Sequence, residues 1–379
     1  MKLIHLSDLH LGKRVNGFSM LEDQRYILRE ILHIIDREAP DGVLIAGDVY
    51  DKSVPPAEAV ALLDEFLVEL SQRRLQVYLI SGNHDSPERL AFGGRLMAQS
   101  GVHVAPVYDG RITSFTQQDR WGSVEIFLLP FLKPAHVRRF FPDDPIDSYT
   151  DALRTVLSHA SIPTDKRTVL VTHQFVTGAS RCDSEDISVG GSDNVDAAVF
   201  APFDYVALGH IHNPQSAGAP HIRYCGTPLK YSFSEAAHEK SVTVVELREK
   251  GAVDIRTIPL QPLRDMAELR GTYESLTYRG FYEGTTYPRD YLHITLTDEE
   301  DIPDAVSKLR VIYPNLMQLS YDNARTQAGA LASPTEQAAQ KTPLELAEAF
   351  YAGQNGQPMS DAQREFLRGL MERIWEEEA

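Results

Sequence analysis

Five short polar clusters, each placed where a run of apolar residues stops, constrain this chain more than any bulk property. They are Asp8-Leu9-His10, Gly47-Asp48-Val49-Tyr50-Asp51, Gly82-Asn83-His84-Asp85, Val171-Thr172-His173 and Gly209-His210-Ile211-His212. The apolar or β-branched runs at 3–7, 43–46, 77–81, 124–129, 168–172 and 205–208 read as strands. Helical spacing of apolar residues over 21–37 and 57–73 separates the first three, so the chain opens βαβαβ. That alternation predicts an α/β layered domain. In open α/β sheets, ligands gather beyond the carboxyl ends of the strands, so the five clusters can converge on one site.

The spacing inside the clusters suggests what that site does. In extended backbone, residues i and i+2 share a side, so Asp8 with His10 and His210 with His212 are expected to act as two pincers. Gly47, Gly82 and Gly209 are expected where the chain leaves its strand sharply. Imidazoles, carboxylates and one amide are a donor mixture suited to Mn²⁺, Fe²⁺, Co²⁺ or Zn²⁺. The candidate ligands Asp8, His10, Asp48, Asn83, His173, His210 and His212 are too many for one tetrahedral ion. They suit two ions ~4 Å apart that share a carboxylate, activate water and clamp the oxygens of an in-line displacement. Histidines outside the clusters, His5 and His33 among them, read as surface or satisfied core residues.

A length of 379 residues calls for two or three folded units. Residues 1–262 read as the catalytic domain. Residues 263–322 read as a smaller α+β cap, with strands at 291–297 and 316–321 around a helix at 302–312. An Ala, Gln, Thr and Ser-rich linker follows at 323–342, then a helix pair at 343–379, with helices expected at 343–351 and 361–378. Ser360 and Gln363 form a capping-box pattern, and Phe366, Leu367, Leu370, Met371, Ile374 and Trp375 make an apolar stripe. That stripe must be covered, either by the chain's own body or by a partner.

The net charge of −17 argues against a broad, sequence-independent nucleic-acid surface, so a nucleic-acid substrate would need metal cations and a partner to hold it. Cys182 and Cys225 lie far apart without a CxxC spacing, as expected for unpaired thiols in a reducing compartment and not for a cysteine zinc site. No apolar run of about 18 residues occurs, and Asp8 and His10 interrupt the N-terminus too early for a signal peptide. The expectation is a soluble cytoplasmic protein without membrane contact.

At the five clusters the sequence resembles the calcineurin-like metallophosphoesterases, whose ordered motifs DxH, GDxxD, GNHD, a lone H and GHxH all stand here. The resemblance implies a four-layered β-sandwich flanked by helices. It also implies one ion held by Asp8, His10, Asp48 and His212 and a second by Asp48, Asn83, His173 and His210, with Asp48 bridging. His84 would face the scissile phosphate and stabilise the transition state or protonate the leaving oxygen, Asp85 would orient His84, and Asp51 would be structural.

Longer stretches narrow the resemblance. Leu6-Ser7-Asp8-Leu9-His10-Leu11-Gly12, Ala46-Gly47-Asp48-Val49-Tyr50-Asp51, Phe203-Asp204-Tyr205-Val206-Ala207-Leu208-Gly209-His210-Ile211-His212 and Gly226-Thr227-Pro228-Leu229-Lys230-Tyr231-Ser232-Phe233-Ser234-Glu235 are similar to the nuclease component of bacterial SbcCD complexes. This implies a Mn²⁺-dependent DNA-repair nuclease, associated with the nucleoid. Its activities would be an ATP-dependent 3′ to 5′ exonuclease on double-stranded DNA and an endonuclease on hairpins and single strands. The partner would be an SMC-like ABC ATPase, the other component of SbcCD, which would carry much of the phosphate contact. Two nuclease chains, a homodimer, would sit within a heterotetramer. The cap would place DNA over the metals and the terminal stripe would pack on the ATPase. Two other readings use the same residues: a phosphoesterase of this fold acting on small phosphodiesters, and a non-catalytic scaffold that docks DNA or a partner.

Overall fold

Strands that are apolar at every position need cover on both faces, and the fold supplies it. The computed structural model describes residues 1–185, 194–300, 302–324, 348, 350–352, 358–367 and 370. Its first half runs β1 (Lys2–Leu6), α1 (Leu21–Glu38), β2 (Gly42–Ala46), α2 (Ala57–Gln72), β3 (Gln76–Ile80), β4 (Val102–Val104), β5 (Thr113–Asp119) and β6 (Gly122–Leu129). It continues with α3 (Tyr149–Ser158), β7 (Arg167–His173), β8 (Tyr205–Gly209), β9 (Gln215–Ala217), β10 (Ala219–Tyr224), β11 (Ser241–Leu247) and β12 (Val253–Pro259). Two six-stranded sheets result, ordered β12-β11-β1-β2-β3-β4 and β9-β10-β8-β7-β6-β5.

The sheets pack face to face. Leu3, Leu44, Tyr78 and Ile80 of the first meet Ile126, Val169, Val171 and Tyr205 of the second in one buried cluster. On the outer face of the first sheet, Ile27, Ile31 and Phe66 from α1 and α2 cover Ile4, Val43 and Val77. On the outer face of the second, Leu153 and Val156 from α3 cover Leu170 and Val206. Helix, sheet, sheet and helix make the four layers that the resemblance implies. Strands β1, β2 and β3 are parallel to one another, as are β6, β7 and β8, so each set ends on one edge of its sheet.

Several strands go unmarked in the sequence. The exposed alternation of β5 and β12 carries few apolar residues. β11 lies far along the chain yet pairs antiparallel with β1, Lys2 opposite Glu246. Contacts of that sequence separation leave no local signal.

Two compact units are distinguished: Met1–Arg270 with Glu274–Ile294 and Asp304–Leu319, and Gly271–Tyr273 with Thr295–Pro303 and Ser320–Ala379. A three-stranded sheet orders β13 (Met266–Gly271), β14 (Tyr291–Leu296) and β15 (Leu316–Tyr321), with α4 (Ala305–Arg310) before its last strand. α4 is shorter than the expected helix at 302–312, because it follows Pro303 and a left-handed Asp304 with φ 54°. Met266, Tyr291 and Met317 join the core under α1, where the Tyr291 hydroxyl donates to Asp23 at 2.7 Å and Arg264 pairs with the same carboxylate at 2.6 Å.

Near the C-terminus the Ser360 and Gln363 capping box forms: the Ser360 N–H donates to Gln363 Oε1 at 2.9 Å and the Gln363 N–H to Ser360 Oγ at 3.3 Å. Phe366 is 69% exposed and Leu370 37%. Met371, Ile374, Trp375, the linker beyond residue 324 and most of the first terminal helix lie outside the described residues. Among the described residues, no helix is long and apolar enough to cross a membrane.

His5 is a core residue that is satisfied on one side only: it is fully buried in β1, its Nδ1 lies 2.9 Å from the Tyr205 hydroxyl across the sandwich, and its Nε2 is buried without a hydrogen-bond partner among the described residues. Burial, helped by the nearby Arg223 charge, pushes its pKa from 6.5 down to about 3. A folded-state pKa below the unfolded value means the unfolded chain binds this proton first as pH falls. Stability should therefore drop as pH is lowered from 6.5 towards 3, and urea midpoints across this range should fall less steeply in His5→Gln.

Candidate metal centre

Three of the five clusters leave their strands through left-handed backbone. Asp8, His10, Asp48 and His210 all adopt positive φ, at 53°, 44°, 46° and 101°. A non-glycine residue held there costs on the order of 1–3 kcal/mol and persists only where its surroundings fix it. Here the fixing contacts run between clusters: the Asp8 N–H donates to Gly47 O at 3.0 Å and the His10 N–H to Asp48 O at 2.9 Å. The His210 N–H donates to Asp8 Oδ1 at 3.0 Å. The pincers expected from extended backbone are thus made by left-handed kinks. Gly47 turns as expected, whereas Gly82 and Gly209 are needed for a different reason. Gly47 alone of the three has positive φ, whereas a Cβ on Gly82 would fall 2.1 Å from Asp48 Oδ1 and one on Gly209 would fall 1.9 Å from Ala46 O. They permit close approach.

All seven candidate ligands meet in one buried space. Asp48 Oδ2 lies 3.3 Å from His173 Nε2 and 3.7 Å from His10 Nε2. His10 Nε2 and His212 Nε2 are 3.2 Å apart. Asn83 Oδ1 stands 3.0 Å from both His173 Nε2 and His210 Nδ1. Donor atoms of Asp8, His10 and His212, and of Asp8, Asp48 and His173, each fall within 4.8 Å of one another. The outer nitrogens are anchored, His173 Nδ1 against Ala46 O at 2.8 Å and His212 Nδ1 against Ser184 Oγ at 2.7 Å, which leaves each Nε2 turned inward. Inward lone pairs on imidazoles anchored from behind are the arrangement a metal ion requires. The donor set fits divalent metal ions.

The electrostatics point the same way. Burial raises the Asp8 carboxyl to about 7. Burial would raise Asp48 too, but the charge and hydrogen bond of His173 together with the charges of His10 and His84 outweigh it and hold Asp48 well below the usual range. Burial works to lower His173, and Asp48 in turn raises it. Burial lowers His10 and His210. Two carboxylates this dry require positive charge beside them.

His84 sits at the mouth, half-buried, with its Nδ1 3.0 Å from Asp51 O and its ring edge-on to His10 at 4.8 Å. Its backbone N–H donates to Asp48 Oδ1 at 2.9 Å. The Asp85 carboxylate accepts the backbone N–H groups of Val49, Tyr50 and Gly82 at 3.1, 2.9 and 2.9 Å. Asp85 ties two loops together, and the Asp51 carbonyl faces the His84 ring. The Asp51 side chain is taken by Lys13 at 2.7 Å.

Sequence reasoning gave no role to the residues behind His212. Glu235 is fully buried, accepts the Ser184 hydroxyl at 2.5 Å and pairs with Lys240. Lys240 Nζ reaches His212 O at 2.9 Å, and Glu185 accepts the His212 N–H at 2.7 Å. The usable signal was that histidine ligands need an anchor behind them, and Glu235 closes the last of the four longer stretches. Cys182, Glu235 and His238 also come within 4.8 Å. Glu235 is already saturated by Ser184, Tyr231, Ser232 and Lys240, and burial pushes the Cys182 thiol up to about 12, so this group is a buttress.

Residues 1–214 match the model of the calcineurin-like phosphoesterases. The curated D subunit of the SbcCD nuclease from Staphylococcus epidermidis is 32% identical over 385 residues, with all of both chains covered. The chain belongs to the SbcD nuclease family. The corresponding SbcD protein of Staphylococcus saprophyticus is 35% identical over 324 residues, covering 84% of each chain. Residues 262–355 match a second model, described as the type 5 capsule protein repressor C-terminal domain. Among solved structures, a dimetal phosphatase from Danio rerio is 13% identical, covers 69% of this chain and 98% of its own, and has a TM-score of 0.41. A Thermus thermophilus protein is 12% identical, covers 68% of this chain and 98% of its own, and has a TM-score of 0.37.

Membership of the SbcD family brings divalent metal ions to this centre. A Cβ at Gly82 collides with the Asp48 carboxylate from 2.1 Å. Gly82→Ala should therefore retain less than half the wild-type metal on gel filtration, read by elemental analysis, while its far-UV circular dichroism stays unchanged.

Proposed function

We propose that this chain is the nuclease subunit of an SbcCD-type complex and hydrolyses DNA phosphodiester bonds at the centre built around Asp48. The observation that carries this is the convergence of seven donors on one buried space with His84 at its mouth. Asp8, His10, Asp48 and His212 would hold one ion, and Asp48, Asn83, His173 and His210 the other. The donor set accepts several first-row divalent ions, and Mn²⁺ is the one the family resemblance implies. Bound ions supply a more acidic water and a clamp on the phosphate oxygens. With Nδ1 held by the Asp51 carbonyl, His84 offers Nε2 to the phosphate and can pass a proton to the leaving oxygen as its bond to phosphorus breaks.

The net charge of −17 favours a partner that holds the DNA backbone, and an SMC-like ABC ATPase fits the family. The exposed Phe366 and Leu370 support docking of the terminal helices on that partner. With it, the chain would act as an ATP-dependent 3′ to 5′ exonuclease on duplex ends and an endonuclease on hairpins. A homodimer through α1 and α2 is supported by the exposed Val60 and Val68 on α2.

His84→Gln should lower DNA cleavage about 10²–10⁴-fold, the usual contribution of a general acid, with metal content retained. Asp48→Asn should lose both cleavage and metal. Unchanged cleavage in either variant would overturn the mechanism. Hydrolysis of bis(p-nitrophenyl) phosphate without cleavage of end-labelled duplex DNA, even with the ATPase present, would favour a small-phosphodiester enzyme. Deleting residues 343–379 should preserve hydrolysis of the small diester and abolish co-purification with the ATPase.

A further inference from the structure

Beside the metal centre lies a recess of about 160 Å³ whose walls include the rings of Tyr108, Phe131 and Phe140. It shares a wall with the centre. Ser81, which lines it, directly precedes Gly82 and Asn83, and the Phe131 N–H donates to Ser81 O at 3.0 Å. The Phe131 ring stands edge-on to the candidate ligand His173, with centroids 6.2 Å apart. We propose that this recess receives the base of the nucleotide whose phosphate lies at the metal centre. The proposal rests on the nuclease reading and adds to it the part of the substrate that is gripped.

Three features support it. The volume is well below the roughly 300 Å³ or more of pockets that take drug-sized ligands and suits a single planar ring system. Aromatic walls bind every base through its π-face, a sequence-tolerant grip that suits an enzyme degrading DNA of any sequence. The rim offers a cation, Arg139, with His136 and Glu88 beside it, in a chain whose net charge is −17. Phe140 is also held in place. Its ring meets Tyr108 edge-on at 5.5 Å, and Gly110, at φ 95°, lies so close that a Cβ there would approach the Phe140 ring to 3.0 Å. A larger residue at 110 would push the ring from its position.

The test compares two substrates in the full-length protein with Mn²⁺: the p-nitrophenyl ester of thymidine 5′-monophosphate, which carries a base, and bis(p-nitrophenyl) phosphate, which does not. Phe140→Ala should lower the ratio of their kcat/KM values about tenfold, chiefly through KM for the thymidine ester. Phe140→Tyr should restore the ratio. Trp121→Ala, on the distant β5 to β6 turn, should leave it as in wild type. Calorimetry on metal-free protein gives a readout independent of turnover: the affinity for thymidine 5′-monophosphate relative to inorganic phosphate should fall in Phe140→Ala. A ratio within twofold of wild type in Phe140→Ala would overturn the base pocket, and if duplex DNA is still cut the nuclease reading survives. If wild type leaves DNA uncut but shows the Phe140-dependent preference for the thymidine ester, the nuclease reading fails and the pocket stands as a nucleoside monophosphate site.

Discussion

Two carboxylates, Asp8 and Asp48, are buried among four imidazoles where water cannot solvate them. Removing an anion from water costs several kcal/mol unless positive charge compensates it. The mutual hold of Asp48 and His173 is one partial answer, and divalent cations are a fuller one. Much of the fold serves to make this cluster possible. The parallel strands of both sheets end on the edge where the donors lie, the glycines let Asp48 and Ala46 approach their neighbours, and left-handed residues turn the ligands inward.

The support extends behind the ligands. Each histidine whose far nitrogen is fixed loses rotational freedom before a metal arrives, so less entropy is lost on binding. His173 leans on a backbone carbonyl of β2, and His212 leans on Ser184, itself held by a Glu235 and Lys240 pair buried in the core. Asp85 does the equivalent for the loops by gathering three backbone N–H groups. These residues act on the chemistry through position alone.

The elements legible in the sequence were those with a local cause. Apolar runs ending in Asp, Asn or His marked β1, β2, β3, β7 and β8 to within a residue or two, and the polar clusters at their ends do meet in space. What escaped notice depends on contacts distant in sequence. The place of β11 beside β1 is recognisable only in the fold, although its β-branched run is itself a strand signal, and the role of Glu235 only once it is seen behind His212. The left-handed φ of Asp8, His10, Asp48 and His210 has no compositional mark, because none of these residues is a glycine. The three backbone N–H groups that Asp85 gathers were likewise not legible, because adjacency in a motif says little about which backbone a side chain reaches.

The pairing of β11 with β1 also fixes an order of events during synthesis. β1 lies in the middle of the first sheet, and one of its edges stays open until residues 241–247 exist to close it. The donors His210 and His212, with Glu235 and Lys240 behind them, arrive in that same late portion of the chain. A ribosome adding about 5–20 residues per second therefore carries a nascent chain that already holds Asp8, His10, Asp48 and Asn83 but has nothing to complete them. The donor cluster is thus tied to completion of the sandwich, and a chain that stops before residues 241–247 has neither the strand beside β1 nor the full support behind His212.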